Sequence, residues 1–223
     1  MKYEYDAQAG STLLDSIGWL DPDGDPATPR ISSGVDGLVD GTAFSFSFLT
    51  TDEPNKQVVA SHVQANLAQC GIEIMIEALP WDELFTAGPE GPVFGRNFDM
   101  TQFGWSTGLQ PPCFLFTSAE IPGPYPEYQK GWGGANVTGF INQEFDLACT
   151  QALHSLPGST ENQSFHLQAQ LIFSEELPVI PLYQRNSVIV ARPDICQIQN
   201  AIIAETDLWD IERLNYGEQC SNP

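Results

Sequence analysis

An acidic turn near the start of the chain holds its closest group of potential metal ligands. Asp21, Asp23 and Asp25 stand at alternate positions in the segment DPDGD. Carboxylate oxygens at this spacing are ligands in calcium-binding loops, but such loops end with a bidentate glutamate, and no glutamate follows here within the loop. Two interpretations therefore stay open, a calcium site and a solvated Asp-Gly turn. No other cofactor is expected.

The three histidines are the natural candidates for a hydrolytic site. A catalytic triad needs a histidine held between a nucleophile and an acid. His62, His154 and His166 lie in or beside predicted helices, none has the ligand spacing of a metal site, and no nucleophile elbow is predicted. Asp82 and Glu83 are adjacent on a predicted helix, where neighbouring side chains do not face one another, so they do not form a glycosidase pair. A secreted hydrolase is kept only as an alternative function.

An aromatic residue at the end of a predicted strand offers a wall for a ligand. Residues 98–113, FDMTQFGWSTGLQPPC, begin with the alternation of a short strand that ends just before Trp105. An indole presents a large apolar face and one N–H donor, and the small residues Ser106, Thr107 and Gly108 leave room for a ligand beside it. The alternative is that Trp105 packs in the core.

The five cysteines and the lack of a Cys-x-x-Cys motif favour disulfides over a zinc site. We expect Cys113 to pair with Cys149, and Cys196 with Cys220. Cys70 closes a predicted helix and is expected to be a free thiol. Each disulfide would stabilise the fold by roughly 3–4 kcal/mol on the chain-entropy model. This pattern indicates an oxidising, extracytoplasmic compartment.

Composition excludes several classes of partner. The chain has 223 residues with 8 basic and 29 acidic side chains, a formal charge of −21. A nucleic acid or an anionic membrane surface would be repelled by this charge. The sequence shows no signal-peptide pattern and no apolar run long enough to span a bilayer. Because an exported chain needs a signal, we expect this chain to be a fragment of a longer secreted protein.

Apolar periodicity predicts an α/β framework around these residues. Alternating phenylalanines and serines predict a strand over 43–51, helical spacing follows over 55–70, and a second strand is predicted over 72–78. A crossover of this length between two strands predicts that they pair in parallel. The carboxyl ends of parallel strands are where α/β proteins bind ligands, and Trp105 stands at such an end.

The remaining elements are predicted to be mainly helical. Apolar spacing indicates helices over 6–17, 142–153 and 159–177, and a buried strand at Val188–Val190. The turn-rich residues 193–223 are expected to wrap back over the body.

The order of several motifs resembles one protein family. The chain carries, in order, LLDSIGW, DPDGD, the phenylalanine–serine strand, LAQCGIEIMIEALPWDELF, FDMTQFGW, FINQEFDLACTQAL and AQLIFSEELPVIPLYQRNSVIVARPDI. This ordered set resembles the C-terminal lobe of the family 5 extracellular solute-binding proteins, the oligopeptide- and dipeptide-binding type. The resemblance extends over nearly the whole chain.

The resemblance implies a fold and a role. The fold would be a lobe of the periplasmic-binding-protein type II class, α/β, with a mixed sheet flanked by helices. The chain would comprise a leading helix and Asp/Gly-rich loop (1–42), an α/β body (43–192) and a wrapping segment (193–223). The role would be to capture a peptide or another small solute, together with an N-terminal lobe, and to deliver it to an ABC permease. Such a protein is not an enzyme, and it is periplasmic or at the cell surface, anchored through its N-terminus.

The resemblance also bears on the solute. In peptide binders of this family the Trp of the Gly-Trp motif lines the cleft, and an Asp three residues later pairs with the α-amino group of the ligand. Trp105 matches that Trp, whereas Gly108 stands where the Asp is expected. The recognised group is therefore in question, and a different peptide, a sugar oligomer or another small solute are all open. A sensor domain on the same fold is a further alternative.

Overall fold

The computed structural model describes residues 4–105, 110–183, 188–198 and 211–217. Its helices are α1 (Ala7–Ser16), α2 (Pro54–Ala68), α3 (Trp81–Leu84), α4 (Gln143–His154) and α5 (Thr160–Glu176). Its strands are β1 (Trp19–Leu20), β2 (Ile31–Ser32), β3 (Ser45–Thr51), β4 (Glu73–Leu79), β5 (Met100–Thr101), β6 (Ile195–Cys196) and β7 (Asn215–Tyr216). Short 3-10 turns span Cys113–Phe116, Ser118–Glu120, Gly131–Gly133 and Ile211–Arg213. Among the helices of these ranges, none has the length and apolar character to cross a membrane.

Strand β3 is the centre of a three-stranded parallel sheet with the order β4-β3-β5. It pairs with β4 along its whole length, from Ser45 opposite Glu73 to Thr51 opposite Leu79. On its other edge, Phe48 pairs with Met100. The predicted strand–helix–strand unit and the α/β class are confirmed. Among the described residues this sheet is parallel rather than mixed as expected. Antiparallel pairing occurs in the separate ribbons β1–β2 and β6–β7 and in an isolated bridge between Ile31 and Ala43.

The two faces of the sheet are covered by different elements, which follows from the alternation of side chains along β3. Phe48 points to the α2 face, where a buried cluster comprises Phe48, Ala60, Ile72 and Ile74. Leu49 points to the opposite face, where it joins Leu84, Val93 and Val137. Because both faces are covered, the phenylalanine–serine strand is more buried at its end than its half-polar pattern predicts.

A carboxylate fixes the start of β5 against β3. Asp99 Oδ2 accepts hydrogen bonds from the Ser47 backbone N–H at 2.9 Å and from the Ser47 hydroxyl at 2.7 Å. The bond from the backbone N–H, and after it the bond from the hydroxyl, lower the pKa of Asp99 below its ordinary value. Since β5 is only two residues long, this contact is an important part of what holds it in register.

A buried arginine joins the N-terminal residues to the sheet. Arg30 Nε donates to the Cys70 carbonyl at 2.7 Å, and its Nη1 donates to Asp15 Oδ1 at 2.5 Å and to the Trp19 carbonyl at 2.7 Å. Its guanidinium thus contacts α1, β1 and the turn between α2 and β4. Because three acceptors surround it, this buried charge is compensated.

Helices α4 and α5 pack against each other and hold the loop that follows β5. Phe145 and Cys149 of α4 are buried, and Phe173 of α5 lies against the same cluster. Cys149 forms a disulfide with Cys113, with the two Cα atoms 5.7 Å apart. The predicted pairing is present, and it attaches the end of the 98–113 segment to α4.

The remaining cysteines were expected to comprise a free thiol at Cys70 and a second disulfide, and the described residues agree with this. Cys70 is free and partly buried. Cys196 is in a disulfide. Its predicted partner, Cys220, lies outside the described residues, so that pairing stays a prediction.

Asn136-Val137-Thr138 fits the three-residue glycosylation sequon, a weak sequence match, and it lies in the interior. The Asn136 side chain is fully buried, and its Nδ2 donates to the carbonyls of Phe116, Thr117 and Phe140 at 2.9–3.1 Å. The Thr138 hydroxyl donates to Asn136 Oδ1 at 2.8 Å. An amide occupied in this way is not available for a glycan in the folded protein, and it instead closes the loop between β5 and α4.

The predicted buried strand at Val188–Val190 is wrong. These residues have no strand pairing, and Val190 is 90% exposed. A run of β-branched residues satisfies the strand pattern, but it is buried only where a neighbouring strand or helix covers it. In the described part of the chain no element does so.

We expect Asp99→Asn to lower the free energy of unfolding at pH 7 by at most about 1 kcal/mol, because the carboxylate is exposed to solvent. The pKa of Asp99 is lower in the folded protein than in the unfolded chain, so the carboxylate contributes fully to stability above an ordinary pKa of about 4. That contribution to the free energy of unfolding is lost as the pH falls through the folded pKa. Urea unfolding from about pH 7 to about pH 2.5 should therefore show the two proteins converging in acid. The exposed Asp36, which has no hydrogen bond among the described residues, provides the control Asp36→Asn. If the difference in the free energy of unfolding between Asp99→Asn and the wild type persists unchanged in acid, the Asp99 carboxylate does not stabilise the fold as proposed.

Replacing both Cys113 and Cys149 by alanine should destabilise the protein by roughly 3–4 kcal/mol, since the chain-entropy model assigns that value to closure of a loop of this length. Urea unfolding without reductant measures it, with Cys70→Ala as the control for loss of one thiol. A double variant no less stable than the control would show that the cross-link adds nothing to stability.

Candidate functional site

Trp105 lies where β5 leaves the sheet, at the edge formed by the carboxyl ends of the parallel strands. Its ring is 5.4 Å from that of Phe103, which packs edge-on against Phe85 at 5.4 Å. The Trp105 side chain is nevertheless 40% exposed. It is therefore packed against the core on one side and partly exposed, which is compatible with the predicted ligand wall; that assignment stays a prediction.

The three residues predicted to flank the ligand are Ser106, Thr107 and Gly108. They lie outside the described residues. Their proposed contribution to the site stays a prediction.

The same edge carries buried polar atoms that the sequence analysis missed. Thr50 Oγ1, Thr51 Oγ1, Thr101 Oγ1 and Gln102 Oε1 are buried without a hydrogen-bond partner in the described structure. Most buried polar atoms in proteins are paired, so a cluster of exceptions needs an explanation. All four belong to the last residues of β3 or to β5 and the residue after it, which is where a parallel sheet presents groups to a ligand.

Two of these groups are neighbours on the α2 face. Because Phe48 pairs with Met100, continuation of the register sets Thr50 beside Gln102. Gln102 Nε2 donates to the Lys56 carbonyl at 3.4 Å, which leaves its Oε1 unpaired. The only sequence signal for Thr50 and Gln102 is that each is a polar residue two positions after an apolar one, Phe48 or Met100, on the same face of its strand.

A buried lysine completes this edge and was also missed. Lys56, in the first turn of α2, is only 7% exposed. Its ammonium lies 6.0 Å from the centre of the Tyr183 ring and is close to Gly104, where an added Cβ would be 3.9 Å from it. The three ion pairs found among the described residues do not include it. Lys56 thus presents a positive charge beside the residue that precedes Trp105.

The three aspartates of the acidic turn accept hydrogen bonds from groups within the turn. Asp21 accepts from the Gly24 N–H, Asp23 from the Asp25 N–H and the Thr28 hydroxyl, and Asp25 from the Ala27 N–H. The Asp25 backbone N–H, and next the Thr28 hydroxyl, lower the pKa of Asp23. Within the described ranges, no three His, Cys, Asp or Glu side chains are grouped so as to hold a metal. These hydrogen bonds are those of a solvated turn, and the calcium site stays a prediction.

The histidines do not form a hydrolytic arrangement in the described structure. His62 and His154 are exposed, whereas His166 is buried. Both ring nitrogens of His166 are unpaired, and it lines an apolar cavity of about 170 Å³ between the Cys113 segment and α5. Contrary to the sequence expectation, the letters GWSTG at 104–108 fit the Gly-x-Ser-x-Gly pattern of a nucleophile elbow. No described histidine has the acid partner that a triad requires.

Comparison with known proteins supports a binding lobe. Residues 1–124 match the model of the bacterial extracellular solute-binding proteins, family 5, middle region. Di/tripeptide-binding protein 4 of Pseudomonas aeruginosa (strain UCBPP-PA14) is 28% identical over 130 residues, which are 58% of this chain and 22% of that protein.

Solved structures show the same relationship. The oligopeptide-binding protein of Thermus thermophilus, in complex with a pentapeptide, is 28% identical with a TM-score of 0.66, covering 83% of this chain and 30% of that one. The oligopeptide-binding protein AppA of Bacillus subtilis, in complex with a nonapeptide, shares the fold at 21% identity with a TM-score of 0.68, covering 98% and 39%. The chain thus spans between a fifth and two fifths of the lengths of these proteins. Since the family model matches more than half of it, the chain belongs to the family 5 bacterial extracellular solute-binding proteins.

Proposed function

We propose that this chain forms one wall of the solute-binding cleft of an extracytoplasmic protein that delivers a peptide or another small solute to an ABC importer. The observation that carries the proposal is Trp105, which is packed on Phe103 yet 40% exposed at the carboxyl edge of a parallel sheet. An aromatic face fixed in this way can bind an apolar part of a ligand without losing much conformational freedom.

The family and the named relatives support the cargo class. The Pseudomonas relative is named a di/tripeptide-binding protein, and the Thermus protein was solved with a pentapeptide. Thr50 and Gln102 lie at the same carboxyl edge of the sheet, and their buried side-chain oxygens have no hydrogen-bond partner among the described residues. Gly108 in place of the expected carboxylate keeps non-peptide solutes open.

The partners and the compartment are part of the same proposal. A second, N-terminal lobe would close over the carboxyl edge, and an ABC permease would accept the solute. The disulfide between Cys113 and Cys149 supports an oxidising compartment, periplasmic or at the cell surface. Anchoring through the N-terminus is expected by family resemblance alone. The relatives are binding proteins, and the described histidine environments offer no support for the hydrolase alternative.

The division of the chain is also proposed. Residues 1–42 would lead into the lobe, 43–192 would form its body, and 193–223 would wrap over it. The contacts of Arg30 support attachment of the first segment to the body.

We expect Trp105→Ala in the full-length protein to weaken solute binding at least tenfold, a loss of about 1.4 kcal/mol, because buried aromatic anchors carry a large share of binding energy. The solute is identified first by native mass spectrometry of the protein purified without refolding, and its affinity is then measured by isothermal titration calorimetry.

The matched control is Tyr5→Ala. Tyr5 is another exposed aromatic residue, but its hydroxyl bonds to Gln69 beyond the end of α2, at the opposite edge of the sheet. This variant should bind the solute normally. If Trp105→Ala binds as tightly as Tyr5→Ala, Trp105 is not part of the binding site. A purified protein that carries no solute and binds none from a broad panel would contradict the proposed function itself.

A further inference from the structure

We infer that Phe85 is a positioning residue for the proposed binding wall, and that it fixes the orientation of the Trp105 indole through Phe103. This inference rests on the proposed function, because it concerns how the same wall is held in place. In the sequence, Phe85 is only a residue of a short predicted helix, and nothing in its spacing relates it to Trp105.

The backbone next to Trp105 does not by itself fix the indole. The Gln102 N–H donates to the Leu49 carbonyl at 2.9 Å, and this bond ties the end of β5 to the sheet. From Phe103 to Trp105, the backbone makes no hydrogen bond to another described residue. A chain that has left its strand still has two soft dihedrals at each residue, so the direction of the indole depends on what its ring packs against.

The Trp105 ring has one aromatic neighbour in the described part of the chain. That neighbour is Phe103, with the ring centres 5.4 Å apart and the planes at 52°. Tilted aromatic pairs at this separation are favourable. Because Trp105 remains 40% exposed, the position of Phe103 is the constraint on its indole that the structure describes.

Phe103 is held in turn by Phe85. Both rings pack against the buried cluster on the face of the sheet opposite α2, which comprises Leu49, Leu84, Val93 and Val137. They meet edge-on, with centres 5.4 Å apart and planes at 86°. In this arrangement the positive edge of one ring lies on the negative face of the other, so a rotation of Phe103 loses a directional contact as well as burial.

Phe85 is anchored independently of the wall. It directly follows α3, in which Leu84 is fully buried. Its N–H donates to the Trp81 carbonyl at 3.1 Å, and its ring lies 5.1 Å from the Trp81 ring. The rings of Phe85, Phe103 and Trp105 therefore lead from an anchored helix end to the exposed indole. Leucine in place of Phe85 removes the edge-on contact that holds the middle ring.

The first test is a double-mutant cycle on the full-length protein, measured by isothermal titration calorimetry. The titrant is the solute identified by native mass spectrometry, or trialanine if the protein carries none. Phe85→Leu should weaken binding about threefold to tenfold, because one aromatic pair contributes an amount of that order. In the Trp105→Ala background the same change should alter the affinity by less than about twofold, since the indole that Phe85 positions is gone.

The matched control is Phe44→Leu. Phe44 stacks on Trp19 with the ring centres 4.1 Å apart, and it comes just before β3, at the amino edge of the sheet. This variant also removes a ring contact of a partly buried phenylalanine with an aromatic neighbour, but at the edge opposite Trp105. It should bind as the wild type does.

Fluorine NMR of protein labelled with 5-fluorotryptophan reports on the indole directly and needs no solute. The Trp105 resonance is assigned as the one that is lost in Trp105→Phe. Phe85→Leu should shift or broaden this resonance, and Phe44→Leu should leave it unchanged. If Phe85 only stabilised the fold, the Trp105 resonance of the folded variant would stay in place.

The outcomes separate this inference from the proposed function. If Trp105→Ala weakens binding, three results would overturn the inference alone: normal binding by Phe85→Leu, an equal loss in both backgrounds, or an unmoved Trp105 resonance. If Trp105→Ala binds normally, or if the protein binds no solute at all, the inference falls together with the site on which it rests. Should Phe85→Leu not fold, Phe85→Met, whose longer side chain fills more of the space, takes its place with the same expected results.

Discussion

The rest of the structure depends on the pairing of β3 with a parallel strand on each of its edges. Parallel neighbours cannot be joined by a tight turn, so the chain must leave the carboxyl edge, cross a face of the sheet and return. The α2 crossover covers one face, and the segment after β4 covers the other. With both faces buried, the groups that end the strands are concentrated at one edge. The site is a consequence of that topology.

At the carboxyl edge of the sheet, the loop that follows β5 is firmly attached, whereas several buried polar side chains have no hydrogen-bond partner in the described structure. The loop that leaves it is attached to α4 by the disulfide, and the buried amide of Asn136 joins three of its carbonyls. The edge itself has a buried lysine, and its buried threonine hydroxyls and glutamine amide oxygen have no partner in the part of the chain that the structure describes. A loop attached in this way beside the carboxyl edge fits the proposed binding wall, because little ordering would remain to be done when a ligand arrives.

The sequence predicted the features that depend on local periodicity and failed on those that depend on distant neighbours. Alternation in β3 and helical spacing in α2 were sufficient for the parallel unit, and the inward position of Cys149 on α4 was sufficient for its disulfide. Lys56 was missed, because a lysine in the first turn of a helix is normally solvated and its burial depends on segments distant in sequence; Gly104 and Tyr183 lie near its ammonium. The strand at Val188–Val190 failed for the complementary reason, since its pattern fits burial but no described element covers it.

The Cys113–Cys149 disulfide also makes the geometry of the candidate site depend on the oxidation state of the protein. In a reducing compartment these two thiols stay separate, and the loop that follows Trp105 is joined to α4 by non-covalent contacts, among them the hydrogen bonds from Ser118 to Asp146. Oxidation fixes the distance between that segment and the helix, and it does so regardless of which solute is present. The proposed binding wall would therefore be completed by a covalent step after synthesis, and a polypeptide kept in a thiol-rich environment would lack that cross-link.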